Sequence, residues 1–283
     1  MQGLYGDAWK RLKRHRLAMV SLVFLTFLSL VAIAAPFVTR FTYFDQNAEM
    51  ALQFPNGTYW FGTDSLGRDL FSRIIYGARI SLSVGFFTAI FSLVIGTIYG
   101  STSGYVGGKL DTVMMRMADI LNALPSILVT VLIMLVVGRG PVGIFLALGI
   151  TGWIGGARLV RGQVLQAKEM TYVEAARSLG VRRHRILFQH ILPNILGPVI
   201  VNLTFDIPQN ILAESFLSFV GLGLEPPYAS WGTLANEGWR AYRTYPYLIV
   251  FPGAVLFFTI LAFNFLGDGL RDALDPQTTK GGH

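Results

Sequence analysis

"LAMVSLVFLTFLSLVAIAAPFV", residues 17–38, runs for 22 residues without a charged side chain. A bilayer has a hydrocarbon core ~30 Å thick, which about 20 apolar residues cross as one helix. The stretch is too long for the core of a signal peptide, and its "IAAPFV" end is a poor cleavage site, so we expect it to be retained. It therefore predicts a transmembrane helix and an integral membrane protein.

The composition agrees with a membrane protein. Charged residues make up 14% of the 283 residues, whereas a typical soluble domain has about 25%. The net charge of +7 could indicate a nucleic-acid partner, but the basic residues lie in short stretches beside apolar runs, as membrane topology requires. The chain has no cysteine, which excludes disulfides and thiolate metal sites. We expect the bilayer, and no nucleic acid, as a partner.

Five further apolar stretches have the length or hydrophobicity of spans. They cover, to within a few residues, 80–103, 112–137, 142–157, 195–220 and 247–266. The second and fourth spans are rich in small residues, which let helices approach closely. Pro125 predicts a kink in the third span. The expected fold is an all-α membrane protein with six transmembrane helices.

The distribution of Lys and Arg predicts the orientation. With the N-terminus in the cytoplasm, 16 of the 23 basic residues lie on the inner side. The remaining seven lie outside: Arg40, Arg68, Arg73, Arg79, Arg139, Arg240 and Arg243. Cytoplasmic loops carry the excess of positive charge, so both termini are expected in the cytoplasm.

Two large loops then face outward, residues 39–79 and 221–246. In the first, Phe71, Ile74, Ile75 and Ala78 recur at helical spacing, which predicts a short amphipathic helix on the outer membrane face. We divide the chain into residues 1–79, with the first span and outward loop, and a five-helix core, 80–283. The core includes a cytoplasmic loop, 158–194, and a C-terminal tail after the last span.

"EAARSLGVRRHRILFQHILPN", residues 174–194, lies in that cytoplasmic loop. Four residues at helical spacing form one narrow face: Tyr172, Ala175, Ala176 and Leu179. Gly180 is expected to end this helix in the left-handed conformation, and Pro193 to end a second one, with Asn194 capping the next span. Helices this short need a surface to lie against. The spacing leaves open whether that surface belongs to this chain or to a partner.

The stretch resembles the EAA loop of permease subunits of binding-protein-dependent ABC importers. Six residues match that motif in register: Glu174, Ala175, Ala176, Gly180, Leu192 and Pro193. His190 departs from the general motif, but "HILPN" is similar to the peptide-transporter branch. "FGTDSLGRDLFSR", "SGYVGGKLD", "ESFLSFVGLGLEPPYASWG" and "FNFLGDGLRDALDP" also resemble the C-type permease of oligopeptide and dipeptide importers.

The resemblance implies the type I ABC importer fold and a subunit without catalysis of its own. It implies a second, homologous permease, two cytoplasmic ATPase subunits that bind ATP and Mg²⁺, and an external substrate-binding protein that docks on the outward loops. The loop residues, including His190, would form a coupling helix in a groove of the ATPase. The sequence contains no G-x-x-x-x-G-K-[ST] phosphate loop of its own. The implied cargo is peptide, with nickel, glutathione or antimicrobial peptides as alternatives.

The fifth span contains a polar stripe at a spacing of four residues. Its members are Asn202, Asp206, Asn210 and Glu214. Polar groups in a span face a cavity or a partner, so the stripe either lines the translocation path or packs against another helix. Near the third span, Arg116 and Asp119 are expected to form a structural ion pair.

Two other classes of protein remain to be weighed. A proton-coupled secondary transporter would use Asp206 and Glu214 as a relay, but we find no inverted repeat. An intramembrane enzyme would need paired catalytic groups, and no catalytic set or carboxylate pair is evident. The four histidines lack the spacing of metal ligands, so we expect no metal site.

Overall fold

The structure is a computed structural model that describes residues 2–274. This part of the chain is almost entirely helical, with one isolated β-bridge between Thr63 and Asp69. The helices are α1 (Gln2–Arg14), α2 (Arg16–Ile33), α3 (Ala35–Val38), α4 (Leu70–Val106), α5 (Gly108–Asn122), α6 (Ser126–Val137), α7 (Pro141–Lys168), α8 (Thr171–Ser178), α9 (Arg183–Arg185), α10 (Leu192–Phe219), α11 (Trp231–Trp239) and α12 (Tyr247–Leu274). A 3₁₀ turn, Ala48–Met50, and a π-helical turn, Ile186–Ile191, complete them. The all-α prediction is confirmed.

The spans follow the predicted apolar stretches. Five helices in the described range are long and apolar enough to cross a membrane, and α5 and α6 together provide a sixth, bent by 82°. Pro125 lies at this break and has no backbone N–H to continue the ladder of α5. The predicted kink in the third span is therefore confirmed, and it is large enough to separate two helices.

The outer amphipathic helix is a prediction that the structure overturns. α4 begins at Leu70 and continues unbroken to Val106, across the boundary that we placed between residues 79 and 80. The apolar residues of its first turns are buried, because Ile74 packs against Leu234 and Leu248. A membrane surface and a protein core select the same apolar periodicity, so the pattern could not separate them.

α4 packs mainly against α7, and glycines set the distance between the two helices. A Cβ atom at Gly100 would lie 2.2 Å from the carbonyl oxygen of Ala157, and one at Gly104 would lie 2.9 Å from that of Arg161. Close contact between backbones gives strong van der Waals packing where the bilayer offers no hydrophobic gain. The pair is therefore the packed centre of the bundle.

We expect Gly100→Ala to destabilise the bundle by about 1–3 kcal/mol, because the added methyl group overlaps the backbone of α7. The control is Gly162→Ala on α7, where a Cβ would meet no atom within 4 Å. That change should be neutral, or stabilise by up to ~1 kcal/mol through helix propensity. Thermal unfolding of the purified protein measures both. Equal melting temperatures for the two variants would contradict the packing argument.

The bundle has two ends, which we name by their short helices. At the α8 end, α7 extends past the predicted span end at residue 157 and reaches Lys168. At the α11 end, α11 lies between α10 and α12. Residues 267–274 of the predicted tail continue α12 without a break. The rest of that tail, from residue 275, lies outside the described residues.

Candidate functional site

α8 is seated on its own chain by an apolar cluster. Val173 and Ala176 point inward and are 0% and 6% exposed. They pack with Val160 and Val164 of the α7 extension and with Ile186 of the π-helical turn. Because a helix of eight residues is marginal alone, this cluster holds α8 in place. Ala176 therefore faces the chain itself, and the predicted narrow face is divided between two environments.

The turn after α8 has the predicted conformation. Gly180 adopts φ +74°, a region that costs glycine little. Its N–H donates to the carbonyl of Arg177 at 2.9 Å, and the N–H of Val181 donates to that of Ala176 at 3.1 Å. This is the pattern of a Schellman cap, which turns the chain so that Val181 also contacts the apolar cluster.

Pro193 does not end a helix, contrary to the sequence prediction. The π-helical turn passes directly into α10, and Pro193 lies in the first turn of α10. Proline is favoured at the start of an α-helix, because its fixed φ of about −65° suits the helical conformation. Asn194 is not an N-cap; its side-chain amide donates to the carbonyl of His190 at 2.6 Å. The carbonyl of His190 thus has an acceptor role near the point where the backbone hydrogen bonds change from π-helical to α-helical spacing.

The outward side of α8 and the turn after it form an exposed surface, which we call the α8 surface. It contains Tyr172, Glu174, Ala175, Leu179, Gly180 and Phe188. Leu179 is 83% exposed and Phe188 is 64% exposed. Exposed cations follow nearby in the chain: Arg177, Arg182, Arg183 and Arg185. Apolar side chains surrounded by charges at the end of a bundle are typical of a protein-binding site.

One ion pair and one further basic side chain tie the α7 extension to α4 and α5. Arg161 holds Asp111 through two bonds of 2.6 Å. The amino group of Lys168 donates to the carbonyls of Gly104 and Tyr105 at 3.1 and 3.0 Å, which satisfies acceptors at the end of α4. The helix that leads into α8 is thus fixed along the same face as the α4–α7 packing.

The predicted pair of Arg116 with Asp119 is not formed. Asp119 instead accepts from Arg158 of α7 at 2.7 Å. Both partners of the observed pair are about half exposed, so its contribution to stability is small. Spacing within α5 predicted a local pair, whereas the neighbouring helix supplies the cation that Asp119 contacts.

The four members of the polar stripe lie in different surroundings. Asn202 donates to Asp206 at 2.7 Å, and both are partly buried. Asn210 is also partly buried, and its side chain makes no hydrogen bond within residues 2–274. Glu214 is 0% exposed. The stripe is therefore not one continuous surface of this chain.

Serine hydroxyl groups surround the carboxylate of Glu214. Ser81 of α4 donates at 3.2 Å, Ser218 at 2.8 Å and Ser215 at 3.3 Å. Ser81 also accepts from the backbone N–H of Trp231, at the start of α11, at 3.3 Å. A buried carboxylate satisfied in this way holds α4, α10 and α11 together. Glu214 therefore positions these three helices inside the subunit.

A buried ion cluster joins the loop before α4 to α11. Arg73 is 1% exposed and contacts Asp64 at 2.5 Å, and its other terminal nitrogen bonds Glu237 at 3.0 Å. Arg68 contacts both acids, Asp64 at 2.6 Å and Glu237 at 3.1 Å. Next to the cluster, burial raises the pKa of the Asp69 carboxyl, although bonds from Ser72 oppose the shift. The two large loops thus form one connected unit at the α11 end.

Sequence reasoning missed this cluster. It counted Arg68 and Arg73 only for topology, and Glu237 is 164 residues from Arg73 along the chain. An available signal was the spacing of four residues between Asp64 and Arg68, which form one pair of the cluster. Arg73 follows near the start of an apolar span, where an unpaired arginine would be costly. Within the described residues, no three His, Cys, Asp or Glu side chains converge as a metal site.

Two family descriptions match the chain. Residues 93–280 match "Binding-protein-dependent transport system inner membrane component", and residues 3–55 match "N-terminal TM domain of oligopeptide transport permease C". The chain belongs to this permease family.

Relatives of the permease extend over nearly its whole length. It is 47% identical over 277 residues to the oligopeptide transport system permease protein OppC of Bacillus subtilis (strain 168), covering 98% of this chain and 91% of that one. The dipeptide permease DppC of the same strain is 47% identical, and the match covers 97% of this chain and 86% of that one. The glutathione permease GsiD of Pectobacterium atrosepticum is 40% identical, and the match covers 96% of this chain and 91% of that one.

A solved structure identifies the fold of the permease. It is described as an inward-facing conformation of the MetNI methionine ABC transporter, and it matches with a TM-score of 0.56 at 21% identity. The match covers 73% of this chain and 98% of that chain. The permease therefore has the type I fold, as the sequence predicted. Its family and its relatives make it a multi-pass membrane subunit of an ABC importer.

Proposed function

We propose that this permease forms half of the translocation path of an ATP-driven peptide importer. The observation that carries the proposal is its 47% identity, over nearly the full length, to permeases of oligopeptide and dipeptide transport. A second, homologous permease supplies the other half of the path. The proposed cargo is that of those relatives, and glutathione, the cargo of GsiD, is an alternative.

The α8 surface is the proposed contact with a cytoplasmic ATPase. Its exposed members, Glu174, Ala175 and Gly180 among them, lie free at one end of the bundle. The other matched residues would act indirectly, because they lie in the segments that fix α8 to α7 and α10. They are Ala176, His190, Leu192 and Pro193. A rigid seat transmits a displacement of the partner to the spans, whereas a mobile loop would absorb it. Two ATPase subunits would bind ATP and Mg²⁺, whereas this chain would bind neither of them.

The α8 end is the proposed cytoplasmic end, in a bacterial plasma membrane with both termini inside. The excess of basic residues in the segments of this end supports the orientation. The α11 end then faces outward, and a substrate-binding protein would dock there. Its two loops are joined by the cluster of Arg73, Asp64 and Glu237, so a docked protein would meet one rigid surface.

Co-purification tests the assignment. The full chain is isolated in mild detergent from its native membrane, and its companions are identified by mass spectrometry. A second permease and ATPases should accompany the wild type, and a Gly180→Pro variant should lose the ATPases while it keeps the permease. ATP-dependent uptake of peptides, with glutathione as the competing cargo, identifies the substrate class. Purification alone, with uptake in ATP-depleted cells, would instead favour a proton-coupled transporter.

Asn210 is the strongest candidate of the polar stripe for the translocation path, since its amide has no partner within the described residues. We expect Asn210→Leu to lower peptide uptake about tenfold, the effect of one lost hydrogen bond of ~1–1.5 kcal/mol. The control is Gln209→Leu, the same kind of change on the neighbouring, exposed residue. Both variants should assemble normally. Wild-type uptake by Asn210→Leu would remove this residue from the path.

A further inference from the structure

An open apolar groove runs between α4 and the start of α7. Its volume is approximately 670 Å³, and its lining is almost entirely apolar. Ile80, Phe87 and Val94 mark its course along α4, and Val142 and Phe145 form the wall from α7. From Ile80 to Val94 the helix rises ~21 Å. The groove is thus longer than one leaflet of the hydrocarbon core, about 15 Å.

Of the described residues that line the groove, Arg79 alone is charged, and it lies at the end towards α11. It is exposed, and among the described residues its contact is the ring of Tyr76, 6.0 Å from the centre of the guanidinium. Arg139, from the segment before α7, is engaged by Glu225 at 2.9 Å and by the carbonyl of Gly223 at 3.2 Å. Among residues 2–274, Arg79 therefore has no counter-charge, and it lies at the mouth of the apolar groove.

We propose that this groove binds an anionic phospholipid, with the phosphate on Arg79 and one acyl chain along α4. The distribution of charge fits this ligand, because arginine recognises phosphate through paired N–H donors, while the rest of the groove offers only hydrocarbon.

The walls of the groove also favour a flexible chain over a second protein helix. Transmembrane helices pack through small residues that bring backbones together. Here the bulky side chains of Phe87, Phe91 and Phe145 line the groove. The small residues of α4 are instead used at the contact with α7, as at Gly100. A bent acyl chain fills such a space without close approach of backbones.

Native mass spectrometry of the full complex, extracted from its own membrane, tests the proposal. The wild type should retain an anionic phospholipid. Arg79→Gln should retain about tenfold less, the effect of one lost charge-assisted contact. The matched control is Arg243→Gln, an exposed arginine that lies similarly over Tyr242, with 5.9 Å to the ring centroid, and does not line the groove. It should retain phospholipid like the wild type.

A second variant separates the lipid from a free phosphate. Ser83→Trp fills the groove without removing a charge, since Ser83 lines it and is exposed. It should expel the phospholipid, and added inorganic phosphate should not restore the bound mass. Undiminished phospholipid in both Arg79→Gln and Ser83→Trp would overturn the proposal.

A third arm examines whether protein covers the groove. The chain has no cysteine, so Ser83→Cys carries a unique thiol. A short cross-linker at this thiol should capture no subunit, and a lipid-soluble maleimide should label it. Efficient cross-linking to the second permease would identify the groove as a subunit interface and overturn the lipid assignment.

Discussion

Leu179→Glu should abolish ATP-driven uptake and leave folding of the permease unchanged. Leu179 is 83% exposed on its own chain, so the substitution removes almost no packing from the free subunit. In the proposed complex the same side chain would be buried against an ATPase. Full burial of a leucine is worth about 1.5–3 kcal/mol, and a carboxylate placed in an apolar contact costs more than that. We expect the yield of co-purified ATPase to fall by more than about tenfold.

The control is Leu66→Glu, a leucine that is 43% exposed in the loop before α4, at the opposite end of the bundle. Leu66→Glu should leave the ATPase bound, even if it changes the docking of a substrate-binding protein at the α11 end. Thermal unfolding of the isolated variants should match that of the wild type. ATPase retained by Leu179→Glu at the wild-type level, with normal uptake, would contradict the assignment of the α8 surface.

The largest expected loss of stability is at Arg73. Arg73→Met removes the buried guanidinium that contacts both Asp64 and Glu237, and it leaves an excess of negative charge in the cluster. Removing one partner of a buried pair costs about 3–5 kcal/mol. Asp64 is 3% exposed and drives most of this cost. Glu237 is more accessible to solvent and contributes less.

The comparison for Arg73→Met is Arg158→Met, which removes an ion pair whose partners are about half exposed. That variant should lose no more than ~1 kcal/mol. Adding Asp64→Asn to Arg73→Met should recover part of the loss, because it removes the uncompensated charge. Thermal unfolding in detergent ranks the three. The same melting temperature for Arg73→Met and Arg158→Met would mean that the cluster does not stabilise the fold.

Sequence reasoning was correct at Pro125 and Gly180. Pro125 has no N–H for the helix ladder, and the chain bends there, whereas Pro208 lies inside the continuous helix α10. Gly180 can adopt the left-handed conformation cheaply, and it does. Pro193 has two solutions, since proline can follow a helix or begin one, and the chain uses the second. The apolar turns before Ile80 were also ambiguous, because periodicity does not distinguish lipid from a protein core.

The candidate site was located by sequence but not resolved into parts. The resemblance marked Ala175 and Ala176 together, yet only Ala176 is buried in the chain and Ala175 stays on the exposed side. Likewise, the spacing of four residues grouped Asn210 with Glu214, although serines from two helices enclose Glu214. A spacing gives the face of a helix, but it does not state what covers that face.

The sequence by itself determined the class of the protein, the order of its spans and the family, because apolar length and a motif in register are local properties of the chain. Tertiary structure decided which charges are neutralised and which surfaces remain free. Arg73 meets Glu237 across 164 residues, and Asp119 takes Arg158 from α7 in place of its own neighbour. These partners are chosen when helices pack, since the energy of a charge depends on its burial and on what lies within a few ångströms.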